Sequence, residues 1–172
     1  MKRIYIESLG CAKNQVDSEV LLSYANDEGY ERVENPEDAD IVVVNTCGFI
    51  ESAKEESINT FFSLKERCPE AKIIMAGCLA QRYGKEMELE EADAIFGNHD
   101  LSLFPSVLKK LEKNERSVSV PEYPDPDRER DDRKDLLSFP GSAYLKISEG
   151  CNHCCSYCAI PVIRGPLRSR PF

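Results

Sequence analysis

The chain has 172 residues, 41% of them hydrophobic, which is enough for one α/β domain with its own core and the beginning of a further one. It carries 31 acids against 22 bases, a net charge of −9, and this balance argues against a surface that grips nucleic acid all over. No stretch approaches the roughly 20 apolar residues that span a bilayer, and the opening MKRIYIESLG lacks the apolar run of a leader. A cytoplasmic protein with no membrane partner is expected, in which eight cysteines are metal ligands or catalytic groups rather than disulfides.

Short apolar runs alternate with amphipathic stretches over residues 1–120. This pattern predicts an α/β domain with an open, mostly parallel sheet and helices on both faces. Lys2–Ile6 reads as the first strand. Asn14–Glu28 reads as a helix with Val16, Val20, Leu21 and Tyr24 on one face and Gly29 as its stop. Ile41–Val44 is an aliphatic run suited to a strand buried on both faces. Phe49–Arg67 reads as a helix ended by Cys68-Pro69, Ile73–Ala76 as a buried strand, and residues 80–90 as helical. Ala94–Phe96 reads as a short strand and Leu101–Lys113 as the last helix of the domain. Residues 121–141 hold four of the ten prolines and the run DPDRERDDRKD, the composition of a linker. An alternating strand is expected at Ala143–Ile147, opening a third region over 142–172. From Ala159 to Phe172 there are three arginines, Arg164, Arg168 and Arg170, and no acid.

Cys11, Cys47 and Cys78 each fall a few residues after a predicted buried strand, beside Gly10, Gly48 and Gly77. The carboxyl ends of parallel strands form one rim, so three cysteines at equivalent ends can converge despite spacings of 36 and 31 residues. Three thiolates leave one position of a metal centre open, unlike a closed four-ligand structural zinc site. Cys68, at a helix end before Pro69, reads as structural.

A second set, Cys151-x3-Cys155-x2-Cys158, sits in one short loop. Cys154 lies between them, so the loop can also be written C-x2-C-C-x2-C. A zinc site of two CxxC pairs needs about a dozen residues between the pairs, and here they abut. Cys154 therefore reads as a bystander and His153 as a surface residue.

The second spacing resembles the signature of the radical S-adenosylmethionine enzymes. The resemblance implies that Cys151, Cys155 and Cys158 hold a 4Fe–4S cluster whose fourth iron chelates S-adenosylmethionine. It also implies that Tyr157, before the last cysteine, lies against the adenine. Together with SLGCAKNQVDSE (Ser8 to Glu19), NTCGFIESAKEES (Asn45 to Ser57), AGCLAQRYGKE (Ala76 to Glu86) and YLKISEGCNH (Tyr144 to His153), the chain resembles the methylthiotransferase family. Membership would make Cys11, Cys47 and Cys78 the ligands of an auxiliary 4Fe–4S cluster, giving two 4Fe–4S clusters with S-adenosyl-L-methionine as cofactors.

LGCAKN and NTCGFIESA resemble the RimO-like branch rather than the tRNA-modifying branch. That implies methylthiolation of the β-carbon of an aspartate in small-subunit ribosomal protein S-twelve, with a flavodoxin or ferredoxin as electron donor. By the same resemblance residues 142–172 hold only the first strand and cluster loop of an incomplete radical (β/α) barrel. The expectation is an N-terminal fragment, inactive alone. A tRNA adenosine methylthiotransferase and a non-enzymatic flavodoxin-like or metal-binding module are the alternatives. Against the latter, the first strand–helix turn lacks both G-x-G-x-x-G and the P-loop pattern.

Overall fold

A computed structural model of the chain describes residues 1–124 and 132–170. In chain order the first region contains β1 (Lys2–Ser8), α1 (Ala12–Asp27), β2 (Tyr30–Arg32), β3 (Ile41–Thr46), α2 (Glu51–Arg67), β4 (Lys72–Gly77), α3 (Cys78–Tyr83), β5 (Ala94–Phe96), α4 (Phe104–Glu112) and β6 (Ser117–Ser119). The six strands form one sheet in the order β2-β1-β3-β4-β5-β6, and each neighbouring pair is parallel.

Helices cover both faces, as the alternation of elements requires. On one face Leu21, Leu22 and Ala25 of α1 and Phe104, Val107, Leu108 and Leu111 of α4 pack on Ile4, Val43, Ile74 and Phe96. On the other face Phe61 and Leu64 of α2 and Leu79 and Ala80 of α3 pack on Val42, Val44, Ile73, Met75 and Ile95. Successive residues of β3 thus feed opposite cores, which is why its apolar run is unbroken. Cys68 is buried in the second core.

Several elements differ from the sequence reading. The helix expected over 80–90 runs only from Cys78 to Tyr83; the chain turns at Gly84, and the acid-rich EMELEE stretch brings few apolar groups to bury. Two strands at the sheet edges, Tyr30–Arg32 and Ser117–Ser119, were not anticipated. Each is three residues long with only one buried position, so neither has an apolar signature.

The strand expected at Ala143–Ile147 is absent; the strand there is β7, Ser148–Glu149, paired antiparallel with β8, Arg168–Ser169. Leu145 and Ile147 are exposed, and only Ile147 reaches the ladder, its carbonyl accepting from Arg170 N–H at 3.0 Å. Between β7 and β8 lies one short helix, α5 (Ile160–Arg164). Where the first strand of a barrel is expected, over 142–172, the described residues form only this two-residue antiparallel ladder.

Of the residues read as a linker, 125–131 lie outside the described residues. Those from 132 onward run against α1. Arg133 pairs with Glu19, which is fully buried. Leu137 N–H donates to Glu19 Oε1 at 3.0 Å and Gln15 Nε2 donates to Ser138 Oγ at 2.7 Å. This strap explains why α1 buries Glu19 and Ser23 as well as its apolar residues, while Ser18 is buried against Ser8 and Asn45 of the sheet. No helix is long and apolar enough to cross a membrane among the described residues.

Candidate metal centre

Strands β1, β3 and β4 lie side by side and end on the same rim of the sheet. The winding reverses between β1 and β3, so the loops that follow them diverge and leave a crevice. Cys11 follows β1 at the N-terminal boundary of α1, Cys47 directly follows β3, and Cys78 is the first residue of α3 after β4. All three line one cavity of about 430 Å³. Phe49, Ile50 and Ala53 form one apolar wall, and Glu149, Gly150, Ile160, Ile163 and Arg164 from the later segment close the opposite side.

The loops approach closely because of glycine. Gly10 has φ +88°, and a Cβ there would stand 2.9 Å from Cys47 Cβ and 3.1 Å from its Sγ. Gly77, at φ +91°, would place a Cβ 2.1 Å from Asn45 Oδ1. The first sheet-end loop therefore rests on Cys47, and the third rests on the asparagine two residues before Cys47.

A buried polar web fixes the loops. Asn14 Nδ2 donates to the carbonyls of Leu9 and Thr46, both at 2.9 Å. Asn45 Nδ2 donates to Asn14 O and Ser18 Oγ, both at 2.8 Å. Ser57 Oγ accepts from Cys47 N–H at 2.9 Å and donates to Cys47 O at 3.1 Å. The contacts of Asn14 with Thr46 and of Asn45 with Asn14 and Ser18 are buried and tie α1 to β3 across 27 to 32 residues.

Charge enters from the later segment. Arg164 is buried, its Nη1 pairs with Asp17, and its Nη2 donates to Asn14 Oδ1 and to Cys78 Sγ, the last at 3.2 Å. Glu149 and Lys146 complete the group, with Lys146 Nζ 3.2 Å from Asp17 Oδ1 and 3.4 Å from Glu149 Oε2. Lys13 Nζ lies 3.4 Å from Glu149 Oε1 at the cavity mouth. Burial disfavours the ionised form of Asp17, but Arg164 and Lys146 outweigh it and hold its carboxyl below the usual range. Burial pushes the Cys78 thiol up to about 11, with Arg164 acting in the opposite sense.

The second set occupies the loop between β7 and α5. Cys158 N–H donates to Cys155 O at 3.0 Å, Cys151 N–H to Gly165 O at 3.1 Å, and His153 N–H to Cys151 Sγ at 3.4 Å. Cys154 and Cys155 are exposed, and Cys151 and Cys158 partly so. Tyr157 is 89% exposed. Because Glu149 and Gly150 line the cavity, the second loop begins at the edge of the first site.

All eight cysteines are free thiols. Among the described residues no three His, Cys, Asp or Glu side chains are drawn together around a point where one metal ion would sit. Three thiols spread around a cavity of about 430 Å³ do fit a polynuclear cluster, whose cysteines bind different irons.

Asn14, Asp17, Asn45 and Arg164 were not singled out from sequence. The available signal was the polar content of a helix that otherwise reads as apolar-faced, together with the acid-free tail around Arg164.

Residues 3–97 match the model of a family described as Uncharacterized protein family UPF0004. Over 172 aligned residues the chain is 46% identical to "Ribosomal protein uS12 methylthiotransferase RimO" of Treponema denticola, covering 95% of this chain and 36% of that protein. It is 49% identical over 168 residues to the protein of the same name from Syntrophomonas wolfei, covering 95% and 38%. It is 44% identical over 178 residues to that from Clostridioides difficile, covering 100% and 40%. The chain thus spans 36 to 40% of the length of these curated relatives.

Proposed function

Because the chain belongs to the UPF0004 family, we propose that it supplies the cluster-bearing part of a radical S-adenosylmethionine methylthiotransferase. The proposed division is an N-terminal α/β domain over 1–120, a connecting stretch over 121–141 and the start of the radical domain over 142–172. The relatives' printed name supports ribosomal protein uS12 as substrate, and the motif resemblance adds the β-carbon of an aspartate as the modified position. The absence of a membrane-spanning helix among the described residues is consistent with a cytosolic enzyme, and a flavodoxin or ferredoxin is the proposed electron donor.

The observation that carries this reading is the cavity in which three cysteines from three strand ends face the segment bearing the second cysteine set. In it Cys11, Cys47 and Cys78 would hold the auxiliary 4Fe–4S cluster, and Cys151, Cys155 and Cys158 the other. When bound, the second cluster supplies the electron for reductive cleavage of S-adenosylmethionine, and the first supplies a place for the transferred sulfur.

The chain's own residues hold and enclose these groups. Asn14, Asn45 and Ser57 fix the backbone that aims the first three thiols. Phe49, Ile50 and Ala53 line one side with apolar surface and limit water there. Asp17, Glu149 and Arg164 anchor the later segment, so the second loop opens toward the first site. Tyr157 is the proposed contact to the adenine.

Anaerobic reconstitution with iron and sulfide tests the ligands. Cys11→Ala, Cys47→Ala and Cys78→Ala should each lose most of the iron of the first site, whereas Cys68→Ala and Cys154→Ala should retain the wild-type content. A colourless wild-type protein after desalting would remove the cluster reading. Mass spectrometry of ribosomal protein uS12 and of tRNA from a strain lacking the gene tests the substrate: the methylthio group should vanish from the protein, and its loss from tRNA alone would favour the tRNA-modifying alternative.

A further inference from the structure

Arg164 lies six residues past Cys158, on the segment that carries the second cysteine set, yet its guanidinium reaches a sulfur of the first set. It is held there from several sides. Nη1 faces the carboxylates of Asp17 and Glu149, while Nη2 is shared between Asn14 Oδ1 and Cys78 Sγ. The side chain is 4% exposed, so this is a built position rather than a surface rotamer. Asn98 Nδ2 adds a second, weaker donor to Cys78 Sγ at 3.5 Å. Among the described residues no hydrogen bond reaches the sulfur of Cys11 or Cys47, so Cys78 is distinguished from the other two.

An N–H donor and a fixed positive charge at a ligating sulfur stabilise the more electron-rich state of an iron–sulfur centre, and burial strengthens the effect. Arginine keeps its charge at all working pH values, so the influence is constant. Resting on the cluster assignment above, we propose that Arg164 is a positioning residue that raises the reduction potential of the cluster held by Cys11, Cys47 and Cys78. The potential of the first cluster thereby depends on whether the segment bearing the second is docked. An undocked segment leaves the first centre harder to reduce, so electrons are steered to it only in the assembled arrangement.

The test uses this chain with Cys151→Ala, Cys155→Ala and Cys158→Ala, so that only the first site is loaded, reconstituted anaerobically and titrated against redox mediators with electron paramagnetic resonance as the readout. At the parent midpoint, Arg164→Gln should show a reduced-to-oxidised ratio about tenfold lower, a shift of ~59 mV to more negative potential for one electron. Arg164→Lys, which keeps the charge, should lie nearer the parent than Arg164→Gln. Asn98→Ala leaves the buried ion group intact and should shift the midpoint in the same direction by less. Iron and sulfide content, measured on the same samples, separates the two layers. A parent chain without iron overturns the cluster assignment and this inference with it. Full iron content with an unchanged midpoint in Arg164→Gln and Asn98→Ala overturns the inference alone. If Arg164→Gln does not fold, an unchanged midpoint in Asn98→Ala is sufficient to overturn it.

Discussion

A methyl group on Gly10 would meet Cys47 Cβ at 2.9 Å on a backbone already at φ +88°. Gly10→Ala should therefore cost about 1–3 kcal/mol in strain alone and push Cys47 away from Cys11. The expected outcome is a lower urea midpoint together with reduced iron uptake. Asp17 sets a pH dependence. Its folded-state carboxyl is held below the usual range, so the unfolded chain binds the proton more readily. Its contribution is thus fully present above the unfolded value of about 3.9 and is lost as the pH falls through the lower folded value. Urea midpoints of the wild type should drop below about pH 4. Asp17→Asn should already be less stable at pH 7 and show a shallower acid decline. The convergence of Cys11, Cys47 and Cys78 on one cavity was readable from sequence because each lies just past the carboxyl end of a strand. Asn14, Asp17 and Arg164 were not, because Arg164 and Asp17 are 147 residues apart and such a pairing leaves no periodic trace.

The interior strands could be read directly: the Ile41–Thr46 run is buried at every position, and only residues that suit both faces of a sheet fit there. The edge strands Tyr30–Arg32 and Ser117–Ser119 escaped notice because their pairing is supplied by the neighbour rather than by their own side chains. Helix α1 is the element whose surroundings changed most from the simple expectation. Its Val16, Val20 and Leu21 are buried as anticipated, but the strap over residues 132–146 also covers the polar side, with Arg133 on the fully buried Glu19. Arg133→Ala leaves that carboxylate without its cation, a loss on the order of 3–5 kcal/mol for a buried pair. Limited proteolysis should then cut within 132–146 under conditions where the wild type resists, and protection equal to wild type would show that the strap is held by its apolar contacts instead.

Across the whole molecule the two cysteine sets differ in how well the protein surrounds them. The first lies in a walled cavity on a six-stranded sheet. The second lies on a loop with Cys154, Cys155 and Tyr157 open to solvent, between strands of only two residues. Holding reacting atoms in place is a large part of catalysis of this kind, and a loop so exposed does not hold them. These 172 residues should therefore retain roughly four irons, the content of one 4Fe–4S cluster, after desalting. With dithionite and S-adenosylmethionine they should yield no 5′-deoxyadenosine above background. Sustained deoxyadenosine formation would mean that the described loop closes over its cofactor more fully than its geometry indicates.

The spacing of the cysteines also dictates an order of assembly. Cys151, Cys155 and Cys158 fall within eight consecutive residues, so the loop that brings them together is short, and an unfolded or nascent chain can already gather them around iron. Cys11, Cys47 and Cys78 are 36 and 31 residues apart and meet only when β1, β3 and β4 are paired. Iron at the first site would therefore bind the native state alone and add its binding energy to folding, as a ligand of the native state does. Iron at the second loop, available to folded and unfolded chains alike, would contribute little. Chelation should then lower the thermal midpoint of the chain through the first site, and a chain starved of iron during synthesis should fold first and be loaded there afterwards.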